Sequence, residues 1–425
     1  MACAFRAVWC FRRTHLCAKE GRGVRLLMAV HNAYTDTSSG AARSMRTIVE
    51  WLNASGHECR VLCTARFDAR SPDSLEEHLS SLGIQPQMAQ TPRRLIRSGS
   101  AGRPVWWFEL NGVPVTMVLT RHNDWRSPDR DETEQLVNLC RHVLREFGPH
   151  VLLSYGPHGA VQEMMRLARR HGARTVFSVR NYGYEDRRWF AHADSVLACS
   201  PYLARYYQTK VGVECEGIPS PIRWEDVLAS EESRTFVTFV NPSLEKGAAL
   251  FARLADMLGS RRPDIPVLVV QSAADASSLN SIPGIDFSRY PQIMAAPPVP
   301  RPADFFELTR ILLVPSVFQE PFGRVAAEAL INGIPPIVSD RGALPETVAE
   351  AGIVLPLPEW LTSTSVQIPD ESEVQPWFDA VCALWDDEQA YAARSSLCRD
   401  VARRLYAEEP LRQRYLEYFQ CVASR

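Results

Sequence analysis

Short, wholly apolar runs alternate with segments whose apolar residues recur every three or four positions. Residues 23–30 (Gly-Val-Arg-Leu-Leu-Met-Ala-Val) read as a buried first strand that ends in a polar loop from His31 to Gly40. Ala41, Met45, Ile48, Val49 and Leu52 then mark one face of a helix. Gly56 stops that helix, and residues 59–63 form the next strand. This strand–loop–helix–strand unit is the pattern of a doubly wound parallel sheet. Two strands flank Asn111-Gly112, a strong hairpin turn. Helices are expected at 133–146 and 160–171, strands at 151–155, 175–179 and 195–199, and another helix from Pro201.

Gly217-Ile218-Pro219-Ser220-Pro221 interrupts the alternation with two prolines and reads as a linker. Beyond it the α/β pattern resumes, with strands at 236–240, 266–271, 311–315 and 336–339, helices at 247–258, 321–331 and 344–349, and a helical tail over 390–420. The expected organisation is an N-terminal extension (1–23), an N-terminal Rossmann-like domain (24–217) and a C-terminal Rossmann-like domain (218–425) whose final helices return to the first.

Composition narrows the function. The chain has 425 residues, 46% hydrophobic and 23% charged, and Lys+Arg 47 against Asp+Glu 49 leaves a net charge of −2. Such balance argues against a nucleic-acid partner. Every apolar run falls far short of the roughly 18 residues that span a bilayer, and a cytoplasmic protein is expected. Eleven cysteines sit without zinc-ligand spacing and are expected as reduced thiols. Cys3, Cys10 and Cys17 fall in the first segment, which reads as a dispensable extension or a start site placed too early. Arg93, Arg94, Arg97 and Arg103 lead into Trp106-Trp107; the stretch suits either an acceptor-side loop and hairpin or peripheral contact with the inner membrane face.

The densest chemistry lies in Ser316-Val317-Phe318-Gln319-Glu320-Pro321-Phe322-Gly323-Arg324-Val325-Ala326-Ala327-Glu328-Ala329-Leu330. Pro321 suits the first position of a helix, which places Glu320 at the helix entrance and Glu328 two turns along. Free N–H groups there suit a phosphate. Glu328 could accept from ribose hydroxyls and Glu320 could reach a sugar beyond the phosphates. The competing reading has one carboxylate capping its own helix and the other pairing with Arg324 at i, i+4. Asp129-Arg130-Asp131 precedes a helix and is read as a cap, not a metal site. No metal and no cofactor are expected.

The Glu-x7-Glu pair, with Asn332-Gly333-Ile334-Pro335-Pro336 and Gly342-Ala343-Leu344-Pro345-Glu346 behind it, closely resembles the donor-site signature of glycosyltransferase family 4, retaining enzymes of the GT-B fold. The resemblance is strong over 311–356 and weak over the rest of 24–355. It implies two Rossmann-like domains facing a cleft, closure about residues 217–221, and metal-free transfer of a sugar from a nucleoside diphosphate, a UDP- or GDP-sugar, to an acceptor hydroxyl with retention of configuration. It also implies that Glu320 contacts the donor sugar, Glu328 the ribose, and the Phe322-Gly323 backbone the diphosphate. Lys246-Gly247 matches the family's cationic loop, while Asn241 stands at the arginine position. Of the family's Gly-rich loop only Gly40 remains. The family's histidine aligns with Tyr155, and His158 lies three positions on; a surface histidine is the competing reading. Arg180 and Asn181 would orient the acceptor or cap their own loop. Lipid, glycan, small metabolite and protein acceptors stay open. A nucleotide-sugar epimerase and a non-catalytic sugar-nucleotide-binding subunit are the alternative functions.

Overall fold

The computed structural model describes residues 23–68, 71–91, 95–96, 102–124, 129–272, 274, 279, 286–299 and 301–425. Residues 1–22 of the expected extension (1–23) and Arg93, Arg94 and Arg97 lie outside them. The chain divides into two units. Unit 1 comprises the residues up to Ala198, Ala204–Ile218 and Arg412–Arg425, and unit 2 comprises Cys199–Leu203 and Pro219–Leu411.

Unit 1 holds a sheet of β1 (Arg25–Ala29), β2 (Glu58–Thr64), β3 (Gln87–Ala89), β4 (Val105–Leu110), β5 (Val113–Val118), β6 (Val151–Ser154), β7 (Arg174–Val179), β8 (Ser195–Ala198) and β9 (Glu216–Gly217), in the order β3-β4-β5-β2-β1-β6-β7-β8-β9. From β5 through β9 neighbouring strands are parallel, while β3-β4-β5 is an antiparallel edge. That edge is the Asn111-Gly112 hairpin, with φ of 50° and 76° at the two turn residues, the mirror-image turn geometry that matches strand twist. β1 and β6 are buried nearly throughout because helices cover both faces. From Arg412–Arg425, Tyr415 packs edge-on to Trp51 and Tyr418 shares a hydrogen bond with Ser195 (2.8 Å).

Unit 2 holds β10 (Phe236–Val240), β11 (Val267–Val270), β12 (Ile293–Ala296), β13 (Thr309–Val314), β14 (Pro336–Ser339) and β15 (Ile353–Leu355), all parallel, ordered β12-β11-β10-β13-β14-β15. Alternate residues serve two cores. Val237, Phe239, Val267, Val269, Ile311 and Leu313 pack to one face with the Ala248–Arg261 and Glu371–Asp386 helices. Leu268, Val270, Leu312, Val314 and Val338 pack to the other with Ala326 and Ala329. Among the parallel strands of each sheet the order reverses once, between β1 and β6 in unit 1 and between β10 and β13 in unit 2. Side chains past the carboxyl ends of strands at such a reversal face the natural crevice of the layer.

Several local expectations change. The helix expected from Pro321 begins at Arg324 and runs to Ile331, because Gly323 sits at φ 82° and breaks the helical turn before it. Glu320 is therefore not at a helix entrance; its backbone bridges to Gly342, with Ala343 N–H donating to Glu320 O at 2.7 Å. An added Cβ at Gly342 would lie 2.3 Å from Glu320 O, so only glycine permits this approach. The expected C-terminal helix is two, Glu388–Tyr406 and Glu408–Ser424, broken at Ala407. Asp129 caps the Arg130–Phe147 helix in a reciprocal box: Glu132 N–H donates to Asp129 (2.8 Å) and Asp129 N–H donates to Glu132 (3.1 Å). Arg103 adds ion pairs to both carboxylates. Gly40 opens the Gly40–Ala54 helix behind Ser39, whose hydroxyl accepts from Ala42 N–H.

Candidate functional site

Two polar groupings lie at the carboxyl ends of the two sheets. In unit 2 the segment after β10 turns at Asn241, which takes φ 61°, and ends in the short helical turn Leu244–Lys246. Gly247 (φ 90°) starts the next helix; an added Cβ would collide with Pro315 O at 1.9 Å, so the β10 and β13 loops are in backbone contact there. Val317 and Phe318 N–H groups both donate to Glu245 O (3.0 Å), fastening the loops together. The outcome is a specific pair: Lys246 Nζ donates to Glu320 Oε1 at 2.6 Å, and Ser316 Oγ donates to the same oxygen at 2.8 Å. Glu320 is 8% exposed, whereas Lys246 is about a third exposed in its side chain. The ammonium is not the freely solvated lysine that its loop position alone suggests, and it also lies 5.9 Å from the Phe318 ring.

Glu328, 3% exposed, accepts from Arg324 Nε at 2.8 Å. This is the i, i+4 pairing weighed against the ribose role. Arg324 is held in turn by the Pro221 carbonyl (2.9 Å). Phe322 is buried, packs edge-on to Tyr406, and its carbonyl accepts from Thr347 Oγ1. Asn241 carries no charge to replace an arginine, and its side-chain oxygen is committed to Ala274 N–H (3.0 Å).

In unit 1, His31 follows β1, Arg66 follows β2, Tyr155 and His158 follow β6, and Arg180 and Asn181 follow β7. His158 is half-buried, and its Nδ1 accepts from Ala160 N–H (3.1 Å), capping the Gly159–Arg170 helix. Its ring stacks on His31 with centroids 4.8 Å apart and planes inclined by 25°. Gly156 (φ 106°) makes room for His31, since a Cβ there would lie 2.5 Å from the imidazole. Burial, then His158 and Arg66, push the His31 pKa down to about 3; burial and Arg66 lower His158 as well. Tyr155 is buried, and burial together with Asp68 and Asp36 holds its phenol well above the ordinary range. Arg180 is buried with Nη2 3.0 Å from Met45 Sδ. Asn181 turns back on its own loop, accepting from Gly183 N–H (3.0 Å).

The profile of the Glycosyl transferase 4-like domain matches residues 39–218, and that of Glycosyl transferases group 1 matches residues 291–359; together they take in more than half of the chain. The chain belongs to the family-4-like glycosyltransferases. Within that family it is 29% identical over 149 residues to D-inositol 3-phosphate glycosyltransferase of Paenarthrobacter aurescens (strain TC1). The match covers 34% of this chain and 33% of the relative, so the chain spans about a third of the length of the curated relatives it matches. Among solved structures, a glycosyltransferase of Rickettsia africae ESF-5 superposes with a TM-score of 0.65 at 12% identity, covering 95% of this chain and 99% of the other. Anabaena HepE, in complex with UDP and glucose, superposes with a TM-score of 0.64 at 14% identity, covering 93% and 99%. These likenesses establish the fold as GT-B.

Against that family background, the structure brings Lys246 and Glu320 together and places Glu328 beside Arg324 on the following helix. Sequence reasoning missed His31, Asp36, Arg66 and Asp68 in unit 1. The available signal was position alone: each lies within a few residues of the carboxyl end of β1 or β2. No helix among the described residues is long and apolar enough to cross a membrane. No described cysteine is in a disulfide, and Cys59, Cys63, Cys140, Cys199 and Cys398 are buried.

Proposed function

We propose that the chain transfers a sugar from a nucleoside diphosphate to an acceptor hydroxyl, with retention of configuration and without a metal. The observation that carries this reading is the Lys246–Glu320 pair, held by adjacent strands at the point where the order of the second sheet reverses. A departing diphosphate gains negative charge, and Lys246 offers an ammonium already oriented at that place. The reacting sugar gains positive charge at its anomeric carbon, and Glu320 supplies a buried carboxylate to offset it. A 2.6 Å contact between them keeps each group poised before substrate arrives.

The donor is proposed to be a UDP- or GDP-sugar; the HepE complex with UDP and glucose supports a uridine nucleotide among the candidates. The relative named for D-inositol 3-phosphate supports a hydroxylated small molecule among the acceptors. Metal independence is supported by Asp129, the first carboxylate of the Asp-x-Asp sequence, being spent on a capping box with Glu132 at the start of its helix. Turnover of a panel of UDP- and GDP-sugars is expected to persist in excess chelator. Complete loss under that treatment, restored by a divalent cation, overturns the metal-free mechanism.

Glu328 is proposed to exchange its Arg324 contact for the ribose hydroxyls. Glu328→Ala should then weaken nucleoside diphosphate binding by about 1–3 kcal/mol, the worth of hydrogen bonds to a buried charged group. Calorimetric titration checks this. Unchanged affinity in a variant that melts earlier would assign Glu328 to the Arg324 ion pair alone.

A further inference from the structure

Two donors meet on one oxygen of Glu320, and they differ in kind. Lys246 Nζ, at 2.6 Å, carries a charge that a nucleoside diphosphate also attracts; Ser316 Oγ, at 2.8 Å, carries none. A hydroxyl has a single proton to give. Glu245 O is also in its reach, but at 3.4 Å and without charge, so the nearer carboxylate takes the proton. Ser316 itself has no freedom to follow a moving partner. It is fully buried two positions past β13, and its carbonyl accepts at 2.6 Å from the hydroxyl of Ser339, the last residue of β14. On its other side the Val317 and Phe318 N–H groups are tied to Glu245 O. The hydroxyl is thus fixed from two neighbouring strands, whereas the lysine reaches Glu320 along a flexible four-carbon stem that is about a third exposed.

We propose that Ser316 is a positioning residue for Glu320, holding the carboxylate in place while Lys246 turns its charge to the diphosphate. The inference rests on the sugar-transfer reading and adds a division of labour to it. As the leaving group gains negative charge it competes with Glu320 for the ammonium, so the pair that aligns the two groups in the free chain weakens during the reaction. The Ser316 hydroxyl is uncharged, buried and anchored through its own backbone, and its bond to Glu320 persists through that competition. Alignment of this kind matters because a misplacement of about 1 Å can cost on the order of a hundredfold in rate. The competing role for Ser316 is purely structural, a hydroxyl that satisfies a buried carboxylate and serves stability alone.

The test compares the full chain with Ser316→Ala, Ser316→Thr, Glu320→Ala and the double variant Ser316→Ala/Glu320→Ala. Three quantities are read: release of UDP or GDP from the sugar nucleotide that the wild-type chain turns over, UDP and GDP affinity by calorimetry, and melting temperature. Ser316→Ala is expected to lower kcat roughly ten- to a hundredfold, the range of one hydrogen bond to a charged group, while changing diphosphate affinity by less than about threefold. Ser316→Thr keeps the hydroxyl and should keep most of the turnover. In the Glu320→Ala background the serine change should have no further effect on kcat, because no carboxylate is left to aim. Wild-type kcat in Ser316→Ala, an equal loss in both backgrounds, or a loss matched by a parallel fall in diphosphate affinity and melting temperature overturns the proposal. A wild-type chain that releases diphosphate from none of the UDP- and GDP-sugars overturns the sugar-transfer reading and this role with it, a result separate from any obtained with the variants.

Discussion

Lys246→Ala is expected to lower sugar transfer by roughly 10²–10³-fold, or about 3–4 kcal/mol in the barrier, the usual effect of removing one oriented group that stabilises charge in a transition state. The loss should fall on kcat as well as on donor affinity, because the ammonium acts most strongly once the diphosphate has begun to leave. The same change strips Glu320 of its cation. With Glu320 8% exposed and still accepting from Ser316 Oγ, a buried carboxylate without its ammonium should lower thermal stability too. The double variant Lys246→Ala/Glu320→Gln removes the buried carboxylate charge as well and should recover melting temperature without recovering turnover. Recovery of both, or wild-type turnover in the single variant, would show that the lysine serves the fold and not the reaction.

Acid is expected to destabilise unit 1 through His31. The folded pKa is lowered to about 3 by burial and by His158 and Arg66, whereas the unfolded imidazole titrates near 6.5. Between those values the unfolded chain binds a proton that the folded chain refuses, so stability falls as the pH drops from 6.5 towards 3. Each pH unit inside that window costs about 1.4 kcal/mol from this residue alone. Denaturant unfolding at pH 7 and pH 4.5 measures it: the wild-type chain should lose about 2–3 kcal/mol more than His31→Leu, which has no proton to refuse. Parallel losses in the two chains would mean that His31 is solvated in the folded state. Above pH 6.5 the residue is neutral in both states and contributes no slope.

Local features were legible in the sequence wherever short-range sterics decide them. Asn111-Gly112 forms its hairpin because both turn residues tolerate positive φ. Asp129 caps its helix because Glu132 is three residues away. The parallel strands follow from runs such as Val267–Val270, apolar on both faces because helices cover both. Long-range pairings were hidden. Pro321 looked like a helix start, but a bridge between Glu320 and Gly342 holds that segment extended and Gly323 delays the helix to Arg324. Lys246 and Glu320 lie 74 positions apart, and nothing local to either announces the other. His31 has no pattern of its own either; it acquires a role through His158, Gly156 and Arg66, which distant strands deliver to it. The resemblance to a known donor motif located the carboxylates, and the i, i+4 spacing already offered Arg324 as the partner that Glu328 has in the structure.

We propose that Lys246 and Glu320 together form the grip on an activated sugar. This is tested most directly by titrating UDP and GDP, and their monophosphates, into the full chain and into Lys246→Ala. One diphosphate is expected to bind at least about tenfold more tightly than its monophosphate, a difference of about 1.4 kcal/mol, and the preference should disappear in the variant. Equal affinity for mono- and diphosphate in the wild-type chain, or an undiminished preference without the lysine, contradicts it.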